Sequence, residues 1–248
     1  MAEEAGELHL QYPAFSVIIT NMILFNLSEL IADPIEFLKQ LACILPVMLL
    51  SLTLHEWGHA FAAYKCGDPT AKNLGRMTLN PLAHIDPIGF LAVLLIGFGW
   101  AKPVPVNSRN YRNYKRGEAI VSLAGVTMNL LLAIVFSAAY VILFRLYITG
   151  SYSWLENGIL ITAVQYGVIL NIALMLFNLL PFYPLDGYHI FELLFARRIP
   201  MKAFLFLRRY GQFILIGILI LFRVLQISPI SLIGNWVLIQ LTKLAGMF

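Results

Sequence analysis

Leu52-Thr53-Leu54-His55-Glu56-Trp57-Gly58-His59-Ala60 carries three ionisable side chains into an apolar segment. On a helix His55 and His59 are i and i+4, so both imidazoles leave the same face. That spacing suits two ligands of one Zn²⁺. Glu56 lies about 100° round the helix from His55. From there its carboxylate reaches a water beside the metal without itself being a ligand, which is where a general base is needed. In a soluble helix the same pattern is as easily a solvated face of charges. Inside hydrocarbon, two His and a Glu are costly unless they bind metal, pair or line a wet cavity.

Outward from this stretch, Leu41 to Leu54 is 14 uncharged residues, about 21 Å of helix. Segment 37–64 therefore reads as a membrane span, with His55 near the far leaflet of a hydrocarbon core about 30 Å thick. The whole chain agrees: 60% of its 248 residues are hydrophobic and 12% charged, against about 25% charged in a soluble domain. The pattern predicts an all-α polytopic membrane protein with about five to six membrane segments. Residues 14–33 read as an interfacial or peripheral helix, stopped at Asp33-Pro34. Spans are predicted over 37–64, 118–147 and 158–180, followed by apolar segments 210–226 and 230–247. Residues 88–99 are too few to span and read as a short re-entrant limb. This divides the chain into an N-terminal segment (1–36), a core (37–195) and C-terminal membrane segments (196–248).

Gly99–Asn107 predicts a small extended β element. Pro103 and Pro105, at period 2, remove donors from one edge only. Lys102, Val104 and Val106 keep their N–H and C=O groups on the other, an edge able to take up a substrate strand. A rigid proline linker is the plain alternative.

The formal charge of +4 needs no nucleic acid to explain it. Thirteen of the 17 Lys and Arg fall in loops 65–76, 102–116 and 197–209. All three loops share one side if 88–99 returns to its own side, and the positive-inside rule makes that side cytoplasmic. The histidines and the end of span 158–180 approach the same leaflet. Cys43 and Cys66 would sit about 35 Å apart on one helix, too far for a disulfide. The acidic N-terminus, with no Lys or Arg before Lys39, does not read as a signal peptide.

Two histidines leave a catalytic zinc one protein ligand short. Asp186, His189, Glu192, His84 and Glu118 are the candidates. Asp186 leads, on a proline-broken, glycine-followed turn at the right depth, and His189 comes next. Trp57 and Trp100 suit interface anchors. Asn129 reads as an interhelical hydrogen bond among small residues rather than a site residue.

Taken together, His55-Glu56-x-x-His59 and Asn178-Leu-Leu-Pro181-Phe-Tyr-Pro-Leu185-Asp186-Gly187 resemble the site-2 protease family of intramembrane zinc metalloproteases. The second motif matches that family's Asn-x-x-Pro-x-x-x-x-Asp-Gly pattern in full, and the resemblance covers roughly 37–195. It implies one Zn²⁺ per chain with Asp186 as third ligand, Glu56 as catalytic base, and Asn178 holding the scissile carbonyl or its oxyanion. It further implies a membrane-protein substrate cut within or near a transmembrane segment, docking along 99–107. The chain resembles the compact subgroup without PDZ or CBS domains. It departs from the family at Gly125-Val126-Thr127-Met128-Asn129, where many members have Gly-Pro-x-x-Asn. A membrane zinc transporter would also place His and Asp in spans, but would leave Glu56 unexplained. A membrane metalloprotease of another type would favour Glu118 or Glu192 as ligand.

Overall fold

The carboxylate of Asp33 accepts the Glu36 N–H at 3.0 Å and caps helix α1, Pro34–Cys66. Proline at the first helical position gives up an N–H the helix does not use. In a computed structural model, the chain is described over residues 33–96, 99–150, 158–225 and 229–247. The helix expected over 14–33 falls outside these residues, apart from Asp33.

Seven helices follow α1 in the described residues: α2 Thr70–Asn73, α3 Pro87–Ile96, α4 Tyr114–Ile148, α5 Ile159–Asn178, α6 Asp186–Phe195, α7 Met201–Val224 and α8 Pro229–Met247. Helices α1, α4 and α5, together with residues Met201–Phe222 of α7, are long and apolar enough to cross a membrane. The protein is thus a mostly helical, multi-pass membrane protein, with four candidate spans among the described residues rather than a demonstrated five or six. Helix α3 has ten residues, about 15 Å, and is too short to cross.

Helices α1, α4 and α5 form the body. Ala133 and Tyr140 of α4 pack with Ile161, Val164, Val168 and Ile172 of α5, and Leu238 of α8 closes the cluster. Polar groups around it make some pairs: Tyr140 Oη lies 2.9 Å from Thr242 Oγ1, and Asn171 Nδ2 donates to Ser51 Oγ across α5 and α1 at 2.9 Å. The outward face of α4 is hydrocarbon, with Leu131, Ile134 and Val135 exposed, as suits a surface whose solvent is lipid.

The extended stretch departs from expectation. Among the described residues there is no β-strand, and an isolated antiparallel bridge joins Ile85 to Ala101. Pro103 and Pro105 cannot donate to a ladder. The remaining N–H groups go elsewhere: Lys102 N–H to His84 O at 2.9 Å and Val104 N–H to a side chain at 2.8 Å.

Candidate metal centre

The local helix geometry of α1 brings His55 and His59 together as their spacing requires. Their rings stand edge to face, centroids 4.7 Å apart, with the two Nε2 atoms 3.1 Å apart. Asp186 arrives from the other end of the body. Helix α5 stops at Asn178, the chain turns through Pro181 and a cis Tyr183–Pro184 peptide, and α6 begins at Asp186. A Cβ at Gly187 would overlap the Leu179 and Leu180 carbonyl oxygens. Only glycine lets the start of α6 sit this closely on the end of α5. Asp186 Oδ2 thereby lies 3.5 Å from His55 Nε2 and 3.3 Å from His59 Nε2.

These three side chains fit a metal. One ligand atom from each lies within 4.8 Å of the others. His59 Nδ1 is 2.8 Å from the Val121 carbonyl, which can only accept, so Nδ1 carries the ring proton and Nε2 offers a bare lone pair. Asp186 Oδ2 is buried without a hydrogen-bond donor. Buried acceptors without donors are rare in native proteins, and a cation among them satisfies all three. Two imidazoles and a carboxylate, with a position open for water, are a donor set that zinc favours.

Glu56 is buried beside the cluster. Its Oε2 accepts the Val104 N–H at 2.8 Å, which leaves Oε1 for other work. The strap 102–107 that delivers this N–H is tied down along its length. Arg76 Nη2 donates to Lys102 O at 2.9 Å and Pro103 O at 3.2 Å. Asp68, just past the end of α1, receives Asn107 N–H at 2.7 Å, Asn110 Nδ2 at 2.8 Å, and the Thr70 N–H and hydroxyl. Burial raises the Asp68 carboxyl, but the donors from Thr70, Asn107 and Asn110 outweigh it and hold the group below the usual carboxylate range.

The rival ligands are engaged elsewhere. His189 Nδ1 pairs with Glu118 Oε1 at 2.9 Å, and Glu192 with Arg208 at 2.8 Å. His84 Nε2 meets Thr78 O at 2.9 Å. Asp86 caps α3 by accepting the Ile88 and Gly89 N–H groups. Asn178, the last residue of α5, turns its amide back to donate to Leu174 O at 3.0 Å.

Comparison with known sequences bears on this arrangement. Residues 146–222 match the group described as peptidase family M50; the match takes in Asn178 and Asp186. The "Putative zinc metalloprotease YwhC" of Bacillus subtilis is 43% identical over 145 residues, 58% of this chain and 65% of that protein. The "Putative zinc metalloprotease Rip2" of Mycolicibacterium smegmatis is 30% identical over 164 residues, 64% of this chain and 60% of that protein. The chain is thus similar to peptidase family M50 over residues 146–222, and over a longer stretch to putative zinc metalloproteases. It spans less than two thirds of the length of these relatives. No solved structure matches it.

The histidine pair is built against α4, where Asn129 makes the interhelical hydrogen bond that the sequence suggested. Val121, Gly125 and Asn129 follow one another at four-residue intervals, so they form one stripe on α4. Val121 O meets His59 Nδ1, and Asn129 Oδ1 lies 2.8 Å from His55 Nδ1. A Cβ at Gly125 would overlap His59 Nε2 and the His55 ring. The four-residue step from Gly125 to Asn129 signalled close helix contact and an interhelical hydrogen bond; that its partner is His55 was not visible in the sequence.

Proposed function

We propose that this chain is an intramembrane zinc metalloprotease that hydrolyses a peptide bond within or near a transmembrane segment of a membrane-protein substrate. The observation that carries the reading is the convergence of His55, His59 and Asp186, from α1 and α6, beside the buried Glu56. Zinc held by the three ligands supplies Lewis acidity, which makes water a nucleophile near neutral pH and polarises a carbonyl. Glu56 takes the proton of the attacking water on Oε1 and passes it to the leaving amine, while Val104 N–H holds Oε2. Asn178 donates an amide N–H to the developing oxyanion, having turned from Leu174 O. Loss of such a donor lowers kcat by about 10²–10³.

The catalytic core is 37–195. The substrate is unwound, because a helical peptide bond is shielded by its own hydrogen bonds. Backbone freed inside hydrocarbon needs new partners. Docking is placed along Lys102, Val104 and Val106, on a strap that already runs past Glu56; with the Lys102 and Val104 N–H groups spent on His84 O and Glu56, a strand added alongside pairs with the backbone groups that remain. The basic loops and the site face the cytoplasm.

A zinc transporter would need ligands strung across both leaflets. Here the three share one cluster, with an acid beside them that transport does not use. The test is a paired measurement on purified protein. Glu56→Gln should keep one zinc per chain and lose cleavage of a transmembrane reporter; His59→Ala should lose both. Zinc lost from both variants, or cleavage kept by Glu56→Gln, overturns the assignment.

A further inference from the structure

The arrangement around Asn129 goes one step further and rests on the metal reading above. Asn129 is completely buried on α4, and its Oδ1 sits 2.8 Å from His55 Nδ1. Its Nδ2 is buried as well and finds no hydrogen-bond partner. An amide can face a histidine in two ways. With Nδ2 forward it would donate to a bare Nδ1, and the proton of His55 would move to Nε2. There it could donate to His59 Nε2, 3.1 Å away, and the two imidazoles would satisfy each other without a cation, leaving the Asn129 carbonyl unpaired. With Oδ1 forward the amide accepts Nδ1–H, and both Nε2 lone pairs face Asp186 Oδ2 instead. Either orientation leaves one end of the amide unpaired; the second differs in leaving both Nε2 lone pairs bare, an arrangement that a cation rewards.

We infer that Asn129 is a positioning residue for the metal: its amide oxygen holds His55 in the Nδ1–H tautomer and so presents Nε2 as a ligand. It does for His55 what the Val121 carbonyl does for His59. Outer partners of this kind fix ring orientation and ligand basicity, and their loss lowers metal affinity about 10–100-fold.

The test is a zinc competition titration, against a chromophoric chelator, on the purified full chain and three variants. Asn129→Leu keeps the branched four-atom side chain and removes the acceptor; zinc affinity should fall about 10–100-fold. Asn129→Asp keeps an acceptor oxygen in place and should bind zinc within a few-fold of the parent chain. Asn171→Leu removes an equally buried amide, bonded to Ser51 rather than to a ligand, and should leave affinity unchanged. Parent-like affinity in Asn129→Leu overturns the inference. So does an equal loss in the Leu and Asp variants, which would make Asn129 a packing residue. A parent chain that binds no zinc overturns the metal reading itself, a result distinct from either.

Discussion

At Gly125 a side chain has nowhere to go. The two imidazoles lie directly on the backbone of α4, and a methyl group would overlap His59 Nε2 and the His55 ring. Gly125→Ala must therefore push His55 and His59 apart or push α4 away from α1. A misplaced ligand atom is poorly tolerated at tetrahedral zinc, whose bonds to imidazole are about 2.0–2.1 Å. Gly125→Ala should leave the chain folded in detergent and lose most of its zinc, by elemental analysis. Gly217→Ala, at a position open to its surroundings, should keep the full complement. The two histidines and Glu56 were legible because one helix fixes their mutual geometry. Gly125 was not, because what it contributes is an absence of atoms, and the Val121 carbonyl was not, because every residue has one. Asp186 stood out by its depth and by the turn that carries it; its exact approach depends on Gly187 seating α6 on two carbonyls, which spacing does not reveal.

The strap 102–107 is the element whose reading changed most. Period-2 prolines do give extended, unladdered chain, and that was legible. Where the spared N–H groups point was not, because it depends on Arg76, Asp68 and Glu56 arriving from distant parts of the chain. The Val104 N–H faces a carboxylate, and a hydrogen bond to a charged group contributes about 1.5–3 kcal/mol. Val104→Pro removes it and should lower kcat/KM for a transmembrane reporter about 10–100-fold with zinc content unchanged. Val104→Ala keeps the N–H and should stay within a few-fold; equal effects in the two would show that only the side chain matters. The Asp68 knot adds a pH dependence. Its carboxyl is held below the usual range in the folded protein, so its contribution is complete above the unfolded-state value, about 3.9. That contribution is lost as pH falls through the depressed folded value. Hydrogen exchange of the Asn107 amide should thus show constant structural protection from neutral pH down to about 4, and lose it below. Asp68→Asn should show low protection throughout.

On the scale of the whole molecule, α4 sets the frame. Its 35 residues extend about 50 Å, enough to carry Arg112 and Ile148 to opposite membrane surfaces. In the proposed orientation, which rests on the clustering of Lys and Arg in three loops, Arg112 is on the cytoplasmic side. In a background free of Cys43 and Cys66, Ile148→Cys should react with an impermeant maleimide on intact cells, and Arg112→Cys only after permeabilisation; the reverse pattern would invert the molecule. The helical, multi-pass body was legible from composition alone, since 12% charge leaves few alternatives. The number of spans was less so, because apolar length does not separate a crossing helix from one that packs against the body, as α8 does through Leu238.

The proposed function depends on one ion held by two residues of α1 and one of α6. Zinc K-edge X-ray absorption on the purified chain examines that directly. Two imidazole nitrogens and oxygen donors, all at about 2.0–2.2 Å and without sulfur, should surround the metal, and the oxygen shell should change in Asp186→Asn. A sulfur shell, a single imidazole, or a spectrum unaltered by Asp186→Asn would contradict the assignment of His55, His59 and Asp186 as the ligand set.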